Sequence, residues 1–406
     1  MKRLSLLLVI ITAGMELWAQ LPSLWLLESD TLWPQQGVML RFDAQGMAQS
    51  TDIDLAFGKK MLFGGRIGDD HIDKIYNRIN NFSYGAAGLT GSLAVYSFGD
   101  SLFNRPELGL VIRAGHVYDM HWSMRKGLFD LVFRGNAHHR GETVDAGMYF
   151  QQTVFQKFGV GLFSKNSMNE VVLNYVNGQS FDRFNAEHLE ITTSAGGDSL
   201  TFGYAGNIMR SDTSVRGFAV SEGQGLALDF SFNIGNISLT VQNLGAIRWN
   251  DGFERYDYDS VFTWRGVELT DLVSLTGDSL GWESLQDSLQ VVPVRKARWM
   301  PLPAMAEIRV VSLLNKYVAT DVGLRLRYNL VSFPEVFASV GIMPWPHQMV
   351  SLRATGGGYG RARLGFEYQW KHHKGLMLRA GTDNFPGIIS NHARGASLYL
   401  TFAHMF

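Results

Sequence analysis

The chain has 406 residues, a formal net charge of −1, 12% aromatic residues and no cysteine. A near-neutral balance offers no basic face for a nucleic-acid partner, and the missing cysteines exclude disulfide staples, thiolate metal sites and cysteine nucleophiles. Mean hydropathy is −0.02, ordinary for a soluble protein but equally expected of barrel strands, which show lipid only at every second residue.

At the N-terminus, Lys2-Arg3 precede an apolar run over 4–13, and Leu17-Trp18-Ala19 stand before Gln20. This reads as a secretory signal peptide over residues 1–19, too short for a spanning helix, with 20–406 as the mature chain. No cysteine follows the cut, which excludes a lipoprotein. No later run of 18 apolar residues occurs, so any membrane crossing must use strands.

Strand-like stretches follow at 38–43, 53–57 and 89–98, and Ile72, Ile75 and Ile79 fall at helical spacing within 69–80. Further strands are read over 108–114, 171–176, 189–193 and 200–208. Between them, His138-His139 with Glu142 and Asp145 match neither a helical histidine pair nor a zincin signature, so this stretch is read as a polar turn and no metal is expected.

The clearest pattern runs over 224–241. Leu226, Leu228, Phe230, Phe232 and Ile234 alternate with Gly225, Ala227, Asp229, Ser231 and Asn233. Gly235-Asn236 reverse the chain, and Ile237, Leu239 and Val241 resume the apolar face. Asp229 and Gln242 are thereby expected on the inner face. Asp251, Asp257 and Asp259 do not follow calcium-loop spacing. Residues 267–303 mix leucines with acids and then prolines, and 268–303 reads as an insertion with short helices, either a plug in the lumen or a surface loop.

Alternation is cleanest in the last third, over 322–330, 362–370, 376–380 and 398–406. It places Arg325, Arg327, Arg353, Arg361, Arg363, Arg379 and Glu367 on the inward side. They read either as a positive rail for anions or as a ladder paired with Glu367 and with insertion acids such as Asp271 and Asp278. Trp249, Tyr328, Trp345 and Trp370 stand at or near strand ends, where aromatic girdles belong. The glycine-rich stretch 356–360 lies between strands with no helix after it, so it is a hairpin and not a phosphate loop. Phe406 is expected in the periplasm and 383–394 outside, while strand parity leaves the side of the Gly235-Asn236 turn open.

A secreted sandwich also alternates, with its apolar face on a shared core. Here the signal peptide, the terminal Phe406 and strands greasy on one face but charged on the other point to lipid outside and water inside. The sequence is therefore read as all-β: a transmembrane antiparallel β-barrel of about 14 strands, at about 27 residues per strand with its loop.

Several segments also resemble an uncharacterised family of Bacteroidota outer-membrane proteins. They are Phe129-Asp-Leu-Val-Phe-Arg-Gly-Asn136 with Gly141-Glu-Thr-Val-Asp145, Val171-Val-Leu-Asn-Tyr-Val-Asn-Gly178, Asn243-Leu-Gly-Ala-Ile-Arg-Trp249 and Phe262-Thr-Trp-Arg-Gly-Val-Glu-Leu269. Such proteins are distantly similar to long-chain fatty-acid transporter barrels and to outer-membrane components of the type IX secretion system. The resemblance implies a plugged 14-stranded barrel in the bacterial outer membrane and, from the transporters, passive uptake of small hydrophobic or amphipathic compounds. A non-conducting anchor for a secretion or surface-assembly complex is the second reading. Expected partners are outer-membrane lipid, the insertion machinery and possible secretion components, with no nucleic acid. No cofactor and no catalytic residue is assigned, because nothing in the sequence brings a Ser-His or Asp-His pair together.

Overall fold

The computed structural model describes residues 37–99, 101–211, 220–264, 292–328, 334–372 and 375–406. The proposed signal peptide, Asp271 and Asp278 lie outside the described residues. The strands are β1 (Val38–Ser50), β2 (Phe82–Ser97), β3 (Leu108–Arg125), β4 (Thr143–Asp145), β5 (Met148–Ser164), β6 (Glu170–Thr193), β7 (Leu200–Arg210), β8 (Gly223–Ile234), β9 (Ile237–Trp249) and β10 (Glu254–Trp264). They continue with β11 (Val294–Arg295), β12 (Arg298–Pro301), β13 (Ala304–Asn315), β14 (Val318–Tyr328), β15 (Glu335–Trp345), β16 (Gln348–Gly357), β17 (Arg363–Lys371), β18 (Leu376–Thr382) and β19 (Gly395–Met405).

Fourteen of these form a closed antiparallel barrel. From β1 the wall runs through β2, β3, β5, β6, β8 and β9, then β13 to β19 in sequence order. β19 pairs back onto β1, with Phe42 opposite Phe402. Closure leaves the wall without a free edge, the arrangement that lets strands stand in lipid. The alternation is visible in β15: Val336, Val340 and Ile342 are exposed, while Glu335, Phe337 and Ser339 between them are buried. Leu352, Leu364 and Leu398 extend the exposed apolar band along the neighbouring strands. Soluble monomers rarely expose an apolar surface so continuous, and this decides against a sandwich.

Short turns gather at the end that holds Phe406. Gly235, at φ 58°, supplies the positive φ that the first central position of a tight hairpin turn requires. Ile234 opposite Ile237 and Met39 opposite Met405 place that turn and the C-terminus at the same end, resolving the parity question. Long connections occupy the other mouth. There, α1 (Leu55–Phe63), α2 (Asp69–Arg78) and α3 (Lys126–Arg134) pack Phe57, Ile72, Ile75, Ile79 and Phe129 into one cluster. A last short helix, α4 (Pro386–Ile389), lies between β18 and β19.

Asp54 caps α1 by accepting from the Phe57 amide at 3.0 Å. That cap corrects the strand reading of 53–57: the alternation there is the lead-in to a helix. The same carboxylate accepts from His71 Nε2 at 2.9 Å and faces Arg78 Nη1 at 3.4 Å. Burial alone would raise its pKa, yet the His71 and Phe57 hydrogen bonds and the charges of His71 and Arg78 hold it below the usual carboxylate value.

Two departures from simple alternation shape the interior. First, β8 and β9 slip register between Leu228 and Phe230. Asn243, at φ 57°, is the extra residue, and its amide donates to Asp229 Oδ1 at 2.7 Å. The bulge inverts the phase of β9, so Trp249 is fully buried against Phe181 and Phe253 instead of standing in an outer girdle. Its ring lies over Gly178, where an added Cβ would come within 2.9 Å of it. Second, β6 has 24 residues, about 80 Å of strand where a bilayer needs about 9–11 residues. Its first half pairs with β8 and its second half with β7, which pairs with β10. The part of the 268–303 insertion that is described adds strand, not helix, with β11 on β10 and β12 on β9.

Candidate lumen site

At the Phe406 end the lumen has an apolar floor. Tyr96 and Phe98 meet Phe163 edge-on at 5.2 and 4.9 Å, with Met39, Val111, Met377 and Met405 around them. Arg113 ties this floor to Glu170 at 2.9 Å, and Tyr96 Oη donates to the same carboxylate. Nearby, Lys157 Nζ donates to Asp229 Oδ2 at 2.7 Å and to Asn243 Oδ1 at 2.8 Å. Asp229 thus orders the bulge with one oxygen and neutralises a buried ammonium with the other.

The wall from β13 to β19 carries five of the six arginines expected on the inward side, and its register sets four of them against carboxylates. Arg325 reaches Glu307 at 2.7 Å, Glu335 at 3.4 Å and Asp383 at 3.6 Å. Arg353 shares Asp383 at 3.4 Å and lies 3.8 Å from Asp321. Arg363 meets Glu335 at 3.3 Å. Arg379 meets Glu367 at 2.7 Å, and Glu367 also accepts from Tyr399 at 2.6 Å. Most of these acids lie on neighbouring wall strands and Asp383 just after β18; of the partners read from the sequence, Glu367 is among them, and the insertion acids Asp271 and Asp278 lie outside the described residues. Glu307 and Glu335 stand in β13 and β15, which the sequence reading does not mark as strands, and Asp321 lies just before the alternation read over 322–330.

Two arginines behave differently. Arg361 precedes β17 in the loop after β16 with φ 55°, half exposed, and pairs with Asp52 at 2.8 Å. It therefore belongs to the mouth and not to the strand face on which alternation placed it. Arg327 points into the lumen, where its Nη1 meets Met47 Sδ at 2.9 Å. Among the described residues no carboxylate lies within ion-pair distance of it, and its Nε has no hydrogen-bond partner.

Arg327 lines a cavity of about 100 Å³ with Gln45, Met47, Thr90, Asp119 and Gln242. These residues come from β1, β2, β3, β9 and β14, which are not all neighbours, so the cavity bridges the lumen. Gln45 and Thr90 face inward yet remain exposed, which marks the space as wet. Asp119 Oδ1 is 3.5 Å from His121 Nδ1. A volume of this size holds about three waters, well below the several hundred Å³ of a pocket for a drug-sized ligand.

No family model and no curated protein matches the sequence. Among solved structures the chain is similar to the translocator domain of the autotransporter NalP from Neisseria meningitidis, with TM-score 0.30 and 7% identity over 100% of this chain and 95% of that one. It is similar to the P. putida toluene transporter TodX, with TM-score 0.39 and 7% identity over 91% of this chain and 90% of that one. CdiB from Acinetobacter baumannii gives TM-score 0.29 and 8% identity over 91% of this chain and 60% of that one. At these values the likeness is one of barrel architecture, and no residue role transfers with it.

Proposed function

We propose that this chain is a bacterial outer-membrane barrel for passive passage of a small amphipathic compound, held in the lumen by Arg327. The observation that carries the reading is the wet cavity with Arg327 in its lining. Arg325, Arg353, Arg363 and Arg379 are neutralised by carboxylates, whereas Arg327 and Arg309 have none within ion-pair distance among the described residues, and of these two Arg327 lines the cavity, together with Asp119. A guanidinium in a low-dielectric lumen favours a carboxylate or similar anionic head group, and Met47 and Met305 beside it offer apolar contact. In this reading the exposed apolar band faces lipid, the short turns face the periplasm and the helices cover the outer mouth.

Passage requires the apolar floor to part. The same floor supports a second reading, a non-conducting anchor whose lumen is structural filling. The two separate in proteoliposomes. Wild type and a Phe98→Ala/Phe163→Ala double variant are compared for swelling with short-chain carboxylates and neutral solutes of equal size. Passage is expected to rise in the floor variant, with carboxylates favoured several-fold and the preference lost in Arg327→Gln. No passage in either form sinks the transport reading. Passage without carboxylate preference removes Arg327 from it.

A further inference from the structure

Outside the lumen, the stretch read as a polar turn acquires a third member from the fold. Asp130 lies in α3 and is 3% exposed, with Phe129 beside it locked into the helix cluster at the mouth. A single 3-10 turn then carries His138 and His139 back over that carboxylate. His138 Nε2 stands 3.1 Å and His139 Nε2 2.8 Å from the same oxygen, Asp130 Oδ2. All three atoms lie within 4.8 Å of one another. Asp145, the farther acid of the sequence pattern, is engaged elsewhere, with Arg125 at 2.9 Å.

We propose that Asp130, His138 and His139 bind a divalent transition-metal ion of the zinc class at the long-connection mouth of the barrel. The ligand edges are close to the right length. Two ligands at about 2.1 Å from a tetrahedral ion stand about 3.4 Å apart, so the two nitrogen-to-oxygen edges, at 3.1 and 2.8 Å, need open by only about 0.3–0.6 Å to admit it. Two imidazoles and one carboxylate suit first-row ions such as zinc, and not calcium or magnesium, which prefer all-oxygen shells.

The surroundings also match a metal-site shell. His139 Nδ1 lies 3.2 Å from Glu142 Oε2, the carboxylate–histidine pairing that fixes the tautomer of a metal-bound imidazole. Arg134 Nη1 donates to the other oxygen of Asp130 at 3.1 Å, leaving Oδ2 turned to the histidines. Arg134 is itself held by Asp73 at 3.3 Å and by the Tyr76 ring at 4.4 Å. The turn is fixed by backbone bonds from His139 to Asn136 and from Glu142 to His139, both at 3.0 Å. His138 remains 43% exposed, so the ion would keep positions open to water.

The test uses the full untagged chain folded in detergent micelles, with Zn²⁺ alone as the titrant and Co²⁺ as a visible probe. One equivalent of Zn²⁺ is expected to survive dialysis in wild type and to be lost in His138→Gln/His139→Gln. Glu142→Gln should keep the stoichiometry and weaken binding about 10–100-fold. Heat-modifiable migration on gels confirms that each variant is a closed barrel. Co²⁺ is expected to give a d–d spectrum in wild type that the double variant lacks. Equal Zn²⁺ retention in wild type and a folded double variant overturns the assignment. So does the absence of stoichiometric binding in wild type, which would make the cluster a hydrogen-bonded clamp.

Discussion

The β14–β19 wall and the β6–β8–β9 wall are built from the same alternation, yet they fill the lumen in different ways. From β14 to β19 no strand slips phase within its inward arginine positions, and charge is set against charge with redundancy: Arg325 alone reaches Glu307, Glu335 and Asp383. Across β8 and β9 one extra residue inverts the phase, and the interior there is an indole laid over glycine beside two linked cations, Lys157 on Asp229 and Arg113 on Glu170 and, at 3.9 Å, on Asp229. Phase, more than composition, decides which wall is a charge network and which is a packed core. Redundancy then decides how each wall responds to damage.

The largest effect is expected at Lys157, for which Asp229 is the one carboxylate within ion-pair distance among the described residues. Asp229→Ala leaves Lys157 uncompensated and also removes the acceptor of the Asn243 amide. It should cost about 3–5 kcal/mol in urea unfolding from lipid vesicles. Loss below about 1 kcal/mol would show that Lys157 sheds its charge or finds water, and the contrast between the walls would fall. Next, Gly178→Leu drives a side chain into the Trp249 ring and should cost about 1–3 kcal/mol by the same measurement. The same change paired with Trp249→Ala should recover part of that loss. Asp383→Asn, in the redundant wall, should cost less than Asp229→Ala because Arg325 keeps Glu307 and Glu335 and Arg353 keeps Asp321; equal losses would remove redundancy as the distinction.

The smallest effect concerns the mouth. The Asp54 carboxyl has a lower pKa folded than unfolded, so the unfolded chain binds more protons as pH drops past the ordinary value. The stabilisation is complete at neutral pH and disappears as pH falls through the folded value. Protease nicking within 51–81 should rise in acid before the barrel opens. In Asp54→Asn it should already be raised at neutral pH and change less on acidification.

Much of the barrel was legible because a strand between lipid and lumen must alternate. The β8–β9 hairpin, β14, β17, β18 and β19 all follow that rule, and the isoleucines of α2 follow theirs. Strands were missed where the inner face is small or the outer face short of bulky residues, as in β5 and β16. The inward turn of Arg325, Arg363 and Arg379 follows from phase alone, and Arg353, also expected inward, lies in β16. Their partners do not, because register across strands is fixed by turns and bulges that a single strand does not reveal. The cavity around Arg327 was illegible for the same reason, being assembled from strands far apart in the sequence. Asp130 was missed since only the 3-10 turn brings the histidines back over α3.

The Asn243 bulge also makes β9 a strand with two reading frames. A saturation scan along it should show intolerance to charge at 237, 239 and 241, then a slip to 244 and 246. A deletion of Asn243 would leave 241 out, 242 in and 244 out in unbroken alternation, so the indole of Trp249 would stay inside while the amide that donates to Asp229 is lost. A related chain can therefore keep the same inner face with or without the extra residue, so the count of residues between Val241 and Trp249 becomes a marker of the bulge, and the identity of the residues on either side of it a marker of the core.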